Sequence, residues 1–565
     1  MQILGLSAFG SDAAAVLLRD GLVVAAAQEE RFTRVPRDPS FPRRALRCCL
    51  REGGVAAAEL DWVVFHEKPL RRFERVLASQ LRGFPRSAGG FSRSMFSWLG
   101  DRLWLKNRIA TELGIAPSRV LFGEHHESHA ASAFLSSPFE DAAVLVADGA
   151  GEWATTSLWR GRGAQLQPLG EVRFPHSLGL FLSAMAEHLG FPAGGGEARL
   201  MELAAHGQPR FRAQVDRLLR VAPDGSFTLD MDCFRFDVDG ERLGSDALAA
   251  VLGPPRAPGA ALRFTAPDAA DADLAASVQA ALEDAVLALL GELHRRAPCD
   301  NLCLAGDVAL NAGVVGAVAR RGPFRRLFVQ PAAGDAGAAL GAALHVHHAV
   351  AGGGRAWRQE HGFLGERLLA EPGPGAQPLR DESAVVAALL DALLRDGLVG
   401  WVRGRFEWGP RSLGHRSLLA DPRRADARAL VSRAVKRRED FRPFAVALPA
   451  ERAADFLELP AADASWPLRF LQLAVPARPA AADAAPAIVH ADGSCRPQLV
   501  HAAEDPLFHA LLARFGEATG LPLLLHTSLN VRGEPPVRGE ADALSLFARS
   551  ALPALVVEDR LYRRE

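Results

Sequence analysis

Ile3-Leu4-Gly5-Leu6-Ser7 reads as a short buried strand, and Gly10-Ser11-Asp12 as the polar turn that leaves it. Two more apolar runs follow, Ala14 to Leu18 and Leu22 to Ala27, joined at Asp20-Gly21. Asp-Gly between apolar runs signals a hairpin, because its turn needs residues that tolerate positive φ. A turn set between a strand and a hairpin can wrap a phosphate or a substrate.

The same grammar returns later in the chain. Leu302-Cys303-Leu304-Ala305 is a strand running into Gly306-Asp307 and on to Asn311. Leu327 to Gln330 is another, running into Gly334-Asp335 and an Ala/Gly/Leu-rich helix from about Ala336 to His348. Asp335 falls between strand end and helix start, where a carboxylate can cap the helix or reach a metal or phosphate. Gly352-Gly353-Gly354 and Glu371 to Pro378 are linker-like. They divide the chain into a first domain, 1–350, a linker, 351–378, and a second domain, 379–565. The second opens with an amphipathic helix over 379–396 and a strand over 398–402.

His125-His126-Glu127-Ser128-His129 precedes a good helix, and Ala143 to Ala147 is a buried strand ending at Asp148. His125 and His129 stand four apart, so a helix puts both imidazoles on one face. Two imidazoles and a strand-end carboxylate suit a borderline divalent metal. Solvent-facing histidines and a turn aspartate are the plainer alternative.

Composition sets outer limits. The chain has 565 residues, 49% of them hydrophobic, with a formal net charge of −1. No global field draws in nucleic acid or anionic lipid. Six irregularly spaced cysteines point to a reducing compartment. With no signal peptide before the first strand and no apolar run of ~18 residues, the expectation is a cytoplasmic protein without a membrane partner. Only three lysines and four asparagines occur, so Lys436, Asn311 and Asn530 stand out from an Ala/Arg-rich background.

The second domain carries a basic tract. Arg411 and Arg416 lie five apart in the Gly/Pro-punctuated loop Gly409 to Ser417, and Lys436 lies six before Arg442. Arginine forks match phosphate or carboxylate oxygens, and lysine adds a point charge. Arg423, Arg424 and Arg428 read as a solvated helix face. Phe406, Trp408 and Phe441 are too scattered for a nucleic-acid stacking platform. The run Leu521 to Leu525 leads into His526-Thr527-Ser528-Leu529-Asn530, which can offer a hydroxyl and an amide to a nucleotide phosphate.

Taken together the segments resemble the antibiotic-type O-carbamoyltransferases, the enzymes of tobramycin, cephamycin, novobiocin and nodulation-factor carbamoylation. The marks span nearly the whole chain. They include Glu29-Glu30-Arg31-Phe32-Thr33-Arg34, His125-His126-x-x-His129, Asp148-Gly149-x-Gly151-Glu152-Trp153, Leu304-Ala305-Gly306 to Asn311 and Gly334-Asp335. In the second half they are Glu407 to Gly414, Arg442-Pro443-Phe444-Ala445 and Thr527 to Pro535.

The resemblance implies an α/β protein of two catalytic parts. The first is an actin/sugar-kinase-like (ribonuclease-H-like) ATP-binding domain, similar to tRNA threonylcarbamoyl transferases. Sugar-kinase and actin-like domains open with the strand, turn and hairpin described above. The second is a twisted-sheet α/β domain that forms carbamoyl-AMP from carbamoyl phosphate and ATP, with magnesium on the ATP. The first domain then moves the carbamoyl group to the hydroxyl of a small natural-product acceptor. Lys436 and Arg411 are the implied catalytic cations. Arg416, Arg442, Arg496, Ser528 and Asn530 are implied nucleotide or phosphate ligands, as are Gly306, Asn311 and Gly334 in the first domain. The metal, implied as iron(II) with zinc or manganese as alternatives, falls to His125, His129, Asp148 and Asp335. A homodimer is compatible with all of this.

The departures cluster in the first domain. Ser11 stands where the family usually has a histidine suited to be the acceptor's base, leaving Asp12 as the residue for proton transfer. Asp307 replaces a glycine, Pro36 a basic residue, Glu202 a glycine and His206 a tyrosine. Three readings follow: a carbamoyltransferase with an unusual acceptor, a relative with altered first-domain chemistry (an adenylate-forming ligase, or transfer to an amine), or a nucleotide-binding scaffold.

Overall fold

The structure, a computed structural model, describes residues 1–192, 195–238, 242–368, 373–439 and 441–564. Its first half is built twice over. In the first sheet β1 (Gln2–Ser7), β2 (Ala14–Arg19) and β3 (Leu22–Gln28) form an antiparallel meander. Asp20 and Gly21 turn it at φ 51° and 82°, as the Asp-Gly pair predicts. β4 (Trp62–Phe65) and β5 (Val120–Phe122) add in parallel on the other side of β1. The second sheet repeats the plan. β6 (Asp141–Ala147), β7 (Ala154–Arg162) and β8 (Gln165–Arg173) are an antiparallel meander. β9 (Asn301–Ala305) and β10 (Arg326–Val329) lie parallel beside β6. Both sheets therefore have the order third, second, first, fourth, fifth. This duplicated five-strand plan is that of the actin/sugar-kinase fold, and it places the C-terminal ends of β1, β6 and β9 around one cleft.

Helix Asp335–His345 is the wedge between the two repeats. Its sequence, Asp-Ala-Gly-Ala-Ala-Leu-Gly-Ala-Ala-Leu-His, is nearly all small residues for a steric reason. A Cβ on Gly341 would stand 1.7 Å from Ser128 O on helix His125–Phe134, and a Cβ on Gly5 of β1 would stand 2.0 Å from Ala339 O. Backbone thus packs on backbone, and the metal-motif helix is fixed against the wedge. Gly341→Ala should force the two helices apart and destabilise the protein by roughly 3 kcal/mol. Urea unfolding measures this; an unchanged midpoint would mean that the helices can separate freely.

The second half is an eight-stranded mixed sheet. Its strands are β11 (Gln377–Pro378), β12 (Leu398–Val402), β13 (Arg416–Ala420), β14 (Ala445–Pro449), β15 (Pro497–Val500), β16 (Leu524–Ser528), β17 (Ala554–Val557) and β18 (Arg560–Arg563). They run in the order β11-β18-β17-β12-β13-β16-β14-β15. Helix Glu382–Asp396 covers one face together with helix Pro506–Thr519. Asp381 caps the first of these by accepting from Ala384 N, and Gly397 stops it at φ 77°.

The linker-like stretch does not hang free. Ala26 N donates to Leu364 O in one direction, while Gly365 N donates to Phe406 O and Trp408 N to Gly362 O in the other. Residues 362–365 thus stitch the two halves together; Glu371 and Pro372 lie outside the described residues. One helix, Ala270–Arg296, is long and apolar enough to cross a membrane, but 67% of that stretch is buried in the first half's core.

Candidate active site

The cleft gathers the predicted metal quartet. His125 and His129 come from one face of their helix, Asp148 from the residue after β6, and Asp335 from the first turn of the wedge helix. His125 Nε2 lies 3.0 Å from Asp148 Oδ2 and 3.7 Å from Asp335 Oδ1; His129 Nε2 lies 3.9 and 3.8 Å from the same two oxygens. All four side chains are buried. Burial alone would discharge the His125 imidazole, but the hydrogen bond to Asp148 and the Asp335 charge lift its pKa to about 9. Burial likewise pushes the Asp335 carboxyl up, and His129 and His125 more than offset it, so the group stays below the carboxylate range. Asp335 does not cap its own helix. Its Oδ2 instead accepts from Ser11 N at 2.6 Å and Ser11 Oγ at 3.3 Å.

This cluster fits a divalent metal. Both His129 ring nitrogens are buried without a hydrogen-bond partner, a costly state that coordination would relieve. One ligand atom from each of the four residues falls within 4.8 Å of every other. Two imidazoles and two carboxylates are an N2O2 set for a borderline cation. A feature the sequence reading missed lies beside it: buried His66 and Glu67, from just beyond β4, face the other edge of His125, with Glu67 Oε2 3.8 Å from Nδ1. Glu67 is itself held by Arg72. Purified His129→Ala protein should carry less than a tenth of the parent's divalent metal by elemental analysis. Full retention would remove His129 from the ligand set.

Next to the quartet lies a cavity of about 220 Å³. Asp12, Glu30, Arg37, Glu197, Asp307 and Arg411 supply its charged lining, and Leu182, Met201, Val308 and Leu310 its apolar walls. Asp12 sits at φ 49°, an uncommon backbone state that turns its carboxyl toward this space. Burial, opposed by Arg37, raises that carboxyl to about 7. Burial also raises Asp307 to about 7, again against Arg37. Arg37 Nη2 is 3.1 Å from Asp307 Oδ2, and Arg37 also faces Asp12 and Glu197 at 3.9 and 4.0 Å. Thus a basic residue adjoins Pro36 after all, and it meets the unexpected Asp307. Pairs of this kind, 270 residues apart, leave no periodic trace in sequence.

Three predicted ligands in this half also have work in the fold. Gly306 adopts φ 88°, and a Cβ there would stand 2.2 Å from Ala147 O, so close strand packing demands glycine. Gly334 precedes the wedge helix, where a Cβ would meet Asp307 Oδ1 at 2.4 Å. The Asn311 carboxamide caps helix Ala312–Arg321 through Val314 N and exchanges hydrogen bonds with Gln279. Of the three, Asn311 borders the cavity.

The second centre is cationic. Lys436 is buried and its Nζ donates to Ser528 O at 2.6 Å, to Ser528 Oγ at 3.0 Å and to Asn530 Oδ1. Burial, with Arg438 and Arg442 close by, holds the Lys436 pKa well below the usual lysine value. Arg442 pairs with Glu202 at 2.5 Å, across from the first half. Arg496 sits where burial and Arg411 depress its pKa, and its Nε donates to Leu471 O. Glu202 is the carboxylate that all these cations share as a neighbour. Arg416 corrects the expectation of a phosphate ligand. It is fully buried, and its guanidinium donates to the backbone oxygens of Arg403, Gly404, His415 and Arg538. Four of its five N–H donors are thereby used, and its work is to pin the loop that carries Arg411.

One helix, Gly196–Ala204, separates the two centres. Glu197, Ala198 and Met201 line the cavity, while Glu202 reaches the cations. Pro410 and Arg411 of the second half close the cavity wall. The carbamoyltransferase N-terminus profile matches residues 2–344, and the carbamoyltransferase C-terminus profile residues 390–564. The chain belongs to the carbamoyltransferase family. Among its relatives in that family, the uncharacterised protein sll1178 of Synechocystis is 40% identical over 598 residues, covering 99% of this chain and 96% of its own. The nodulation protein NolNO of Sinorhizobium fredii is 34% identical, covering 98% and 79%. The 3'-hydroxymethylcephem-O-carbamoyltransferase of Streptomyces clavuligerus is 33% identical over 46% of this chain and 49% of its own. Among solved structures, component A of the (R)-2-hydroxyglutaryl-CoA dehydratase of Acidaminococcus fermentans covers 62% of this chain and 99% of its own, with 15% identity and a TM-score of 0.34. As a member of its family this carbamoyltransferase is an enzyme, and its buried His/Asp cluster can bind a metal.

Proposed function

We propose that this carbamoyltransferase makes carbamoyl-AMP in its second half and spends it on a small-molecule hydroxyl in its first. The chemistry balances in three steps. Carbamoyl phosphate and water give carbamate and phosphate. A carbamate oxygen then attacks the α-phosphorus of magnesium-bound ATP, and pyrophosphate leaves. Last, the acceptor oxygen attacks the carbamoyl carbon, AMP leaves with the former anhydride electrons, and the acceptor's proton passes to a base.

The observation that carries this reading is the crowd of cations about Glu202. Burial and one another's charge lower Lys436, Arg438, Arg411 and Arg496, while Arg442, paired with Glu202, is raised. Such a cluster is unfavourable unless an anion joins it. Carbamoyl phosphate and ATP are both anions, and preorganised cations stabilise charge moving onto the leaving pyrophosphate. Lys436 arranges the Ser528 hydroxyl and the Asn530 amide beside that charge. Carbamoyl-AMP hydrolyses readily, so a short path past helix Gly196–Ala204 favours internal transfer over loss to water.

In the first half, Asp12 is the base. Ser11 cannot serve, because its hydroxyl donates to Asp335, a carboxylate too weakly basic to take its proton. A divalent metal on His125, His129, Asp148 and Asp335, which we take to be iron(II) with zinc or manganese as alternatives, would supply Lewis acidity beside the departing AMP. The acceptor is a natural-product intermediate met in the cytoplasm. The absence of a histidine at position 11 favours, as a second reading, a better nucleophile such as an amine. The test is mass spectrometry of the full-length protein with ATP, isotope-labelled carbamoyl phosphate and a pool of hydroxyl and amine acceptors. A labelled carbamoyl adduct on an acceptor supports the proposal. Consumption of ATP with the label on no acceptor would refute the transfer step.

A further inference from the structure

The charge in the first-half cavity is out of balance. Four carboxylates line it, Asp12, Glu30, Glu197 and Asp307, against two guanidinium groups, Arg37 and Arg411. Arg37 is already shared by Asp307, Asp12 and Glu197. Arg411 has no carboxylate within 4 Å among the described residues, so it is the cation on offer. The Asp307 carboxylate is pressed against the backbone at Gly334, and its Oδ1 has no hydrogen-bond partner. It cannot swing aside to make room for an incoming phosphate without breaking the Arg37 contact.

An acyl-adenylate carries one negative charge on its single phosphate. AMP carries about two near neutral pH, since its phosphate has a second ionisation near 6. ATP carries more. We propose that Asp307, with Glu197 and the Arg37 they share, tunes this cavity to the singly charged acyl-adenylate and against nucleotides bearing two or more phosphate charges. Each added phosphate charge must sit among these carboxyl groups at low dielectric, where it is repelled by the ionised ones or must force a proton onto them. Two consequences follow for turnover. ATP destined for the second half is kept out of the first. The extra charge that appears on AMP at the moment of transfer drives the product out.

The inference rests on the reading that the first half receives an acyl-adenylate, and its test is separable from that reading. AMP is titrated calorimetrically into full-length parent, Asp307→Asn, Glu197→Gln and Arg37→Gln proteins. The ATP KM for pyrophosphate release is measured in parallel to report on the second half. Asp307→Asn should bind AMP at least fivefold more tightly than the parent, Glu197→Gln should move the same way, and Arg37→Gln should bind it more weakly. Equal AMP affinity in the parent and both carboxylate variants would overturn the proposal. So would tightening matched by an equal fall in ATP KM, since the effect would then lie in the second half. Should Asp307→Asn not fold, Glu197→Gln and Arg37→Gln decide it through their opposite signs. If pyrophosphate release proves independent of carbamoyl phosphate, the functional reading fails, while the AMP comparison still tests the charge preference by itself.

Discussion

Asp12→Asn should slow carbamoyl transfer by about 10²–10⁴-fold, the range a general base contributes. The substitution keeps the shape of the side chain and removes its ability to take a proton. It leaves the second half untouched, so carbamoyl-phosphate-dependent pyrophosphate release should continue in the variant. The pH profile of the parent carries a second signature. Burial raises the Asp12 carboxyl to about 7, and a base acts only when ionised. Transfer should therefore rise about tenfold per pH unit below 7 and level off above it. The check is initial rates of acceptor carbamoylation from pH 5.5 to 8.5. A flat profile, or parental rates in Asp12→Asn, would strip Asp12 of the role.

Lys436→Ala should lower pyrophosphate release by about 10²–10³-fold, as expected for losing a preorganised charge in a water-poor site. Two losses combine here. On the proposed route the reacting phosphates lose a nearby ammonium, and the Ser528 hydroxyl and Asn530 amide lose the group that bridges them. Lys436→Arg should not rescue, because a planar fork cannot replace three convergent N–H donors around one nitrogen. The assay is coupled pyrophosphate detection at saturating ATP. Release within threefold of the parent would place the adenylating centre elsewhere.

Much of this was legible in the chain itself. The hairpin at Asp20-Gly21 and the alternation of apolar runs with polar turns give the actin/sugar-kinase plan, because turn chemistry and strand burial are local. The quartet was legible because His125 and His129 share a helix face and both aspartates end strand-turn units. The linker's packing is not legible in its composition. Its Gly-rich composition hides that residues 362–365 bond to both halves. Arg416 is a related case. Its place in a basic loop resembles a phosphate site, yet its partners are backbone carbonyls that sequence cannot display. The Arg37–Asp307 and Arg442–Glu202 pairs join positions 270 and 240 residues apart. Each pairs a departure from the family pattern, Asp307 or Glu202, with an arginine that accounts for it only once the two are brought together.

The most direct measurement is pyrophosphate release from ATP by the full-length protein, with and without carbamoyl phosphate and before any acceptor is added. Release that depends on carbamoyl phosphate, accompanied by free phosphate and no ADP, is the expected result. Formation of ADP, or pyrophosphate release that ignores carbamoyl phosphate, would contradict a carbamoyl-adenylate route.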